Sequence, residues 1–133
     1  PRIGATDVVP FVPVSGVTIN ECVVLAKKLG AKVAKELKIP VYLYEESATN
    51  PERKNLATIR AGEYECLEKK LQKPDWLPDY GTATFNAKSG ATVIGVREFL
   101  IAYNVNLNTK SVRKANSIAF DIREQGRVKR IGE

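Results

Sequence analysis

The sequence predicts a protein of the α+β class, and three observations support this prediction. Stretches of alternating apolar residues and stretches of helical periodicity follow one another along the 133 residues. Hydrophobic residues make up 44% of the chain, which is enough to build a core. No glycine-rich phosphate-binding fingerprint follows the strand candidates, so a dinucleotide-binding domain is not indicated. No apolar run approaches the roughly 18–20 residues that cross a bilayer.

The first part of the chain contains two strand candidates on either side of one long helix candidate. Val8–Val14 alternates apolar and small residues but carries two prolines, which is typical of an edge strand. Thr18 and Glu21 form a capping box before a run whose apolar residues recur at helical spacing as far as Leu37. Val41–Glu46 places two tyrosines on one face and predicts a second strand.

The second part begins with a helix from about Gly62 and continues with about twenty residues of little periodicity. The strand-like run that follows is too long for one strand, so we divide it into Val93–Val96 and about Phe99–Leu107. Asn108 or Thr109 is expected to cap a last helix. This order of elements indicates a ferredoxin-like α/β sandwich that ends with the first strand and helix of a second α+β unit.

The composition excludes most of the usual combinations of catalytic residues. The chain has no histidine, so it contains neither a Ser-His-Asp triad nor an imidazole metal ligand. Cys22 and Cys66 lie far apart without metal-ligand spacing, and two isolated thiols suggest a reducing compartment. The net charge of +6 suits anionic ligands, nucleic acid or simple solubility, and the basic residues are spread along the chain.

Two short segments could carry chemistry. The loop Gly81–Gly90 combines glycines, small hydroxyls and Lys88, and it could present backbone N–H groups to an anion or be an ordinary polar connection. In "IRAGEYE", Arg60 could clamp a carboxylate and Glu63 could act as an acid or base if it were buried. The same segment would also suit a plain helix start.

Seven segments together resemble the glutamate formiminotransferase family: "PRIGATDVVPFVPVSGV", "ECVVLAKKLG", "PVYLYEES", "IRAGEYE", "DWLPDYG", "GATVIGVREFLIAYNVNL" and "IREQGR". In vertebrates this family forms the transferase half of formiminotransferase-cyclodeaminase. The resemblance extends from Pro1 to about Arg127 without an evident gap. It implies that residues 1–98 are part of the amino-terminal subdomain and that residues 99–133 begin the carboxy-terminal subdomain. The first strands of the amino-terminal subdomain would lie upstream.

The resemblance also implies a folate-binding loop. The residues that it places there are Gly81, Thr82, Ala83, Thr84, Phe85, Asn86, Ala87, Lys88, Ser89 and Gly90. The glycines and Phe85 match the family pattern, whereas Ser89 stands where the vertebrate proteins have an aromatic residue. In the family, the catalytic acid/base histidine directly precedes the segment that begins here at Pro1, so we expect the 133 residues alone to be inactive.

The expected function is therefore transfer of a formimino group between tetrahydrofolate and L-glutamate, without a metal. The resemblance further implies a cytoplasmic homodimer, with the rest of its own polypeptide as a partner, and no membrane or nucleic-acid partner. One alternative is a related enzyme that uses formyl-folate as a donor or for ring closure. Another is a catalytically silent module that binds folate or nucleic acid, which the basic residues Arg127–Arg130 favour weakly.

Overall fold

The computed structural model describes residues 1–101 and 103–122, and the chain divides into two compact units, Pro1–Phe99 and Leu100–Glu133. The basic residues 127–130 lie outside the described residues. The helices and strands of the first unit, in chain order, are β1 (Val8–Phe11), α1 (Ile19–Leu37), β2 (Val41–Glu45), α2 (Leu56–Arg60), α3 (Leu67–Leu71) and β3 (Thr92–Val96). The second unit contains α4 (Val112–Ile122). Within the described ranges, no helix is long and apolar enough to cross a membrane.

The three strands of the first unit form one parallel sheet in the order β1-β3-β2. The central strand β3 is buried at all five of its residues. This burial on both faces is why its sequence is continuously apolar rather than alternating. Tyr42 and Tyr44 lie in the core layer on one face, whereas Leu43 and Ile94 pack with α1 in the layer on the other face. The helices and the small parallel sheet confirm the predicted α+β class, and the ferredoxin-like topology stays a prediction.

The start of α1 agrees with the sequence analysis. Thr18 is the N-cap, and its hydroxyl accepts a hydrogen bond from the Glu21 backbone N–H at 3.2 Å. The Glu21 carboxylate accepts in turn from the Thr18 backbone N–H at 2.8 Å, which completes the predicted capping box. These hydrogen bonds from Thr18, the backbone one first, lower the pKa of Glu21.

The predicted strand at about Phe99–Leu107 is wrong, because none of the described residues in this range is in a strand. A strand needs a neighbour to pair its backbone groups, and no described residue supplies one. The side chains of Phe99, Ile101 and Tyr103 are accordingly 65%, 90% and 85% exposed. The predicted core of this strand is therefore not formed among the described residues.

Two predicted helix starts are also displaced. The last helix begins at Val112, and Ser111 rather than Asn108 or Thr109 precedes it, with its hydroxyl accepting from the Lys114 backbone N–H at 3.4 Å. The helix predicted from about Gly62 is replaced by α2 and α3, separated by a turn in which Gly62 has φ +84°. An L side chain rarely adopts that backbone conformation, so the glycine divides the helical stretch.

Candidate functional site

The loop Gly81–Gly90 is ordered internally by one side chain. The amide oxygen of Asn86 accepts from the backbone N–H groups of Lys88 and Ser89 at 3.1 and 2.9 Å. The carbonyl of Asn86 accepts from the Gly90 N–H at 2.7 Å, which closes a turn. Asn86 thus fixes the second half of the loop through local side-chain-to-backbone bonds, a role for which its short amide is well suited.

Two aromatic residues fasten the loop to the rest of the unit. Tyr64, which follows α2, donates a hydrogen bond from its hydroxyl to the Ala87 carbonyl at 2.6 Å. Its ring lies 5.5 Å from that of Phe85, measured between ring centroids, and Phe85 packs against the tyrosine-bearing core layer. The segment "IRAGEYE" therefore supports the loop through Tyr64. Residues Gly81–Thr84 and Lys88 are exposed.

The beginning of the loop borders a basic cleft. A Cβ atom on Gly81 would lie 3.2 Å from the Ile39 carbonyl oxygen, and φ at Gly81 is +89°, so the backbone needs glycine there. The cleft holds about 320 Å³. The residues that line it are Ala31, Ala34, Lys35, Lys38, Tyr80, Gly81 and Thr82. Of the ten predicted folate-binding residues, Gly81 and Thr82 thus border a cleft, and the folate role of the loop stays a prediction.

The end of the loop packs against the first residues of the chain. The backbone N–H of Ala5 donates to the Ser89 carbonyl at 2.9 Å, and that of Ala91 donates to the Ile3 carbonyl at 2.9 Å. Gly4 and Gly90 pair between these bonds in an antiparallel bridge. A Cβ atom on Gly90 would lie 2.2 Å from the Ile3 carbonyl oxygen, so only glycine permits this approach. The structure therefore brings the N-terminal segment and the loop together.

Arg60 and Glu63, the two candidates in "IRAGEYE", have different surroundings. The Arg60 guanidinium pairs with the Asp7 carboxylate, and Asp7 also accepts from the Ile3 backbone N–H at 2.8 Å. Glu63 is exposed, so the burial on which its role as an acid or base depended is absent. The pairing with Asp7 was not apparent from the sequence, because the two residues are 53 positions apart.

A buried ionic cluster supports the segment that leads into the loop. Arg53 and Asp79 pair at 3.3 Å with side chains 9% and 7% exposed. Arg53 also donates to the carbonyls of Asp75 and Leu77 at 2.7 and 2.9 Å. Asp79 accepts from the Leu43 backbone N–H at 2.7 Å and thereby ties the segment to β2. The cluster fixes the point at which the chain turns toward Gly81.

Tyr42 contacts this cluster, and we expect its buried hydroxyl to make the stability of the fold depend on pH. Its hydroxyl donates to the Trp76 carbonyl at 2.6 Å, and burial raises the pKa of Tyr42 to about 12, with Arg53 opposing and Asp79 adding to the shift. The unfolded chain loses this proton near its ordinary value of 10.0, so the stability that Tyr42 contributes is complete below pH 10 and lost between about pH 10 and 12.

We expect the stability difference between wild type and Tyr42→Phe to shrink as the pH rises from 9 to 11.5, measured by urea unfolding. Tyr103→Phe, which removes an exposed hydroxyl, is the matched control. A difference that stayed constant over this range would contradict the account.

Comparison with known proteins gives the family. The family model described as the formiminotransferase domain, N-terminal subdomain, matches residues 1–97, and the model described as the formiminotransferase domain matches residues 102–132. These matches mark the fold as that of a transferase domain. The chain belongs to the formiminotransferase family.

Individual relatives agree with this assignment. The formimidoyltransferase-cyclodeaminase of Mus musculus is 54% identical over 130 residues, which cover 97% of this chain and 24% of the relative. The glutamate formimidoyltransferase of Streptococcus pyogenes serotype M1 is 48% identical over 126 residues, which cover 95% of this chain and 42% of the relative. The glutamate formimidoyltransferase of Thermoplasma acidophilum is 49% identical over 125 residues, which cover 92% of this chain and 41% of the relative. The chain thus spans about a quarter to two fifths of the length of these relatives.

Proposed function

We propose that this chain is part of a folate-dependent enzyme that transfers a formimino group between 5-formiminotetrahydrofolate and L-glutamate. The observation that carries the proposal is the family membership, together with relatives named glutamate formimidoyltransferase at about half identity. Tetrahydrofolate would serve as a co-substrate, and no metal would be needed. The whole protein would be a cytoplasmic homodimer, with residues 1–98 in its amino-terminal subdomain and residues 99–133 opening the next one.

The proposed reaction needs one proton to move between two nitrogen atoms. The glutamate amine attacks the formimino carbon, forming one C–N bond, and the bond from that carbon to N5 of the folate breaks. The amine must lose a proton and N5 must gain one, and a single imidazole with a pKa near 6.5 can do both. The family resemblance assigns this role to a histidine directly before Pro1.

The packing of residues 3–5 against residues 89–91 supports this arrangement. The position before Pro1 is three residues from Ile3, so it lies within about 11 Å of it. The proposed histidine would therefore lie near the end of the loop Gly81–Gly90. The basic cleft at the other end of the loop, with Lys35 and Lys38, suits the carboxylates of a folate tail.

The loop proposal predicts the effect of Asn86→Ala. The substitution removes the oxygen that accepts from the backbone N–H groups of Lys88 and Ser89. The loop of the variant is then less ordered before folate binds, and binding must supply the free energy that orders it. We expect the Kd for 5-formyltetrahydrofolate to rise about 5- to 30-fold, which corresponds to two hydrogen bonds of about 1 kcal/mol each. Titration calorimetry on the whole protein measures it.

Asn50→Ala is the matched control, because the Asn50 amide oxygen caps a different turn by accepting from the Glu52 backbone N–H at 3.0 Å. Its Kd for folate should equal that of the wild type. Equal folate affinity in Asn86→Ala and wild type would remove the loop from the folate site.

A further inference from the structure

Four buried side-chain polar atoms lack a hydrogen-bond partner among the described residues: the Tyr44 hydroxyl oxygen, the Ser47 hydroxyl oxygen, and the Nε atoms of Arg53 and Arg60. Two of these residues, Tyr44 and Arg60, interact electrostatically with each other. Tyr44 is 2% exposed, and it lies at the end of β2. Buried polar groups in folded proteins are rarely left unpaired, so the Tyr44 hydroxyl and the Arg60 Nε call for a further partner.

A third donor comes from the neighbouring strand. Tyr44 is paired with Gly95 of β3, and a Cβ atom on Gly95 would lie 2.4 Å from the tyrosine ring. The absence of a side chain at Gly95 therefore lets the ring lie across the sheet. Arg97 follows two residues later. Its backbone N–H donates to the Phe11 carbonyl at 3.1 Å, so the pairing between β1 and β3 continues to this residue. Alternation then directs the Arg97 side chain to the same face as Tyr44.

The electrostatic environment agrees with this placement. Burial raises the pKa of Tyr44. A side-chain contact with Arg97 of hydrogen-bonding type lowers it, as do the charges of Arg97 and Arg60, and Glu45 raises it. Arg97 is thus close to the hydroxyl, although the two do not form a hydrogen bond of regular geometry.

The guanidinium of Arg97 remains available for a ligand. Arg60 is neutralised by Asp7, but no carboxylate of residues 1–101 or 103–122 lies within ion-pair distance of Arg97. The Nη1 of Arg97 donates to the carbonyl of the adjacent Glu98 at 3.2 Å. The other N–H groups of the guanidinium remain to donate to a ligand. Donors that converge without an acceptor suit an anion, and the planar fork of arginine suits a carboxylate in particular.

We propose that Tyr44, Arg60 and Arg97 form a subsite for one carboxylate of a glutamyl group. The proposal rests on the formimino-transfer function, in which both L-glutamate and the folate tail carry such a group. Arg97 would supply the charge and the fork, and the Tyr44 hydroxyl and the Arg60 Nε would fix the orientation of the carboxylate. Asp7 would hold Arg60 in place without contacting the ligand.

Kinetics of the whole protein test the subsite and identify which substrate binds there. We expect Arg97→Met to raise the KM of the substrate bound there about 10- to 100-fold, as for a lost charge-assisted hydrogen bond, with a smaller change in kcat. Arg97→Lys should recover part of the loss. A rise in the KM for L-glutamate assigns the subsite to the amino acid, and a rise in the KM for the folate assigns it to the tail. Arg113→Met, at an exposed position of α4, is the matched control.

A binding measurement separates this proposal from the reaction itself. Glutarate and its uncharged diamide are titrated into wild type and each variant, which requires no turnover. We expect wild type to bind glutarate in preference to the diamide and Arg97→Met to lose that preference, even if no formimino transfer is detected. Should Arg97→Met fail to fold, Arg97→Lys and Tyr44→Phe take its place, with an expected loss of about 3- to 10-fold. Unchanged glutarate affinity and unchanged KM values in the folded variants would overturn the subsite.

Discussion

Replacing Arg53 by methionine is expected to lower the free energy of unfolding by about 3–5 kcal/mol, the largest effect on stability that we predict for one substitution. Methionine has a similar length but leaves the Asp79 carboxylate buried without its countercharge. The carbonyls of Asp75 and Leu77 lose their donor as well. Urea unfolding of wild type and variant, followed by circular dichroism, measures the difference.

The neighbouring residue gives a matched control for this substitution. Lys54 pairs with Glu46 at 3.9 Å, with side chains 61% and 45% exposed, so Lys54→Met removes an ion pair in solvent. We expect it to cost less than about 1 kcal/mol. A similar small cost for Arg53→Met would mean that the Arg53 cluster contributes little to the position of the chain before the loop.

The largest expected effect on activity concerns the proton shuttle. The 133 residues contain no histidine, so we expect this chain alone to transfer formimino groups at least about 10²- to 10⁴-fold more slowly than the whole protein, the usual contribution of a general acid–base group. Glu63, the acid or base candidate named from the sequence, is exposed, and so is Lys88 in the loop. Single-turnover transfer to glutamate, with both proteins at equal concentration, provides the comparison.

The outcome for the two proteins is informative only if each is folded and binds folate, which circular dichroism and titration of 5-formyltetrahydrofolate establish. If the folded chain and the whole protein transferred at equal rates, the acid–base group would lie within residues 1–133. The role that the family resemblance gives to the histidine before Pro1 would then be wrong.

Local features of the fold could be predicted because their causes are local. The capping box of Thr18 and Glu21 depends on residues three apart, and the strand Val41–Glu45 follows from its own alternation and its flanking turn. The helix α2 before Gly62 was missed because the glycine was placed at the helix start rather than between two helices. Asn55, whose amide oxygen caps α2, was the overlooked indication.

The predicted strand at Phe99–Leu107 failed for a different reason. β-Branched and aromatic residues describe a surface that fits a sheet, but the sheet itself must offer a partner strand. The residues from Leu100 belong to a separate unit, and none of its described residues is in a strand, so this stretch has no partner strand among them. The sequence pattern therefore identified residues that suit a sheet, but it did not show whether a partner strand is present.

The candidate site could be predicted only in part. The position of the loop Gly81–Gly90 came from the family resemblance, whereas its attachment through Tyr64 and Asn86 depends on contacts that no spacing rule gives. The cluster of Tyr44 and Arg97 was missed altogether, because it exists only when β2 and β3 pair in parallel with the observed register. Its one indication in the sequence is an arginine directly after a buried strand that contains a glycine.

The most direct test of the account is the transfer reaction of the whole protein that carries this chain, with the donor varied. Purified protein is incubated with L-glutamate and either 5-formiminotetrahydrofolate or 5-formyltetrahydrofolate, and formation of N-formimino-L-glutamate or N-formyl-L-glutamate is followed by mass spectrometry. We expect glutamate-dependent transfer from the formimino donor and at least about tenfold slower transfer from the formyl donor, because the chain belongs to the formiminotransferase family. Preference for the formyl donor, or folate binding without transfer from either donor, would contradict it.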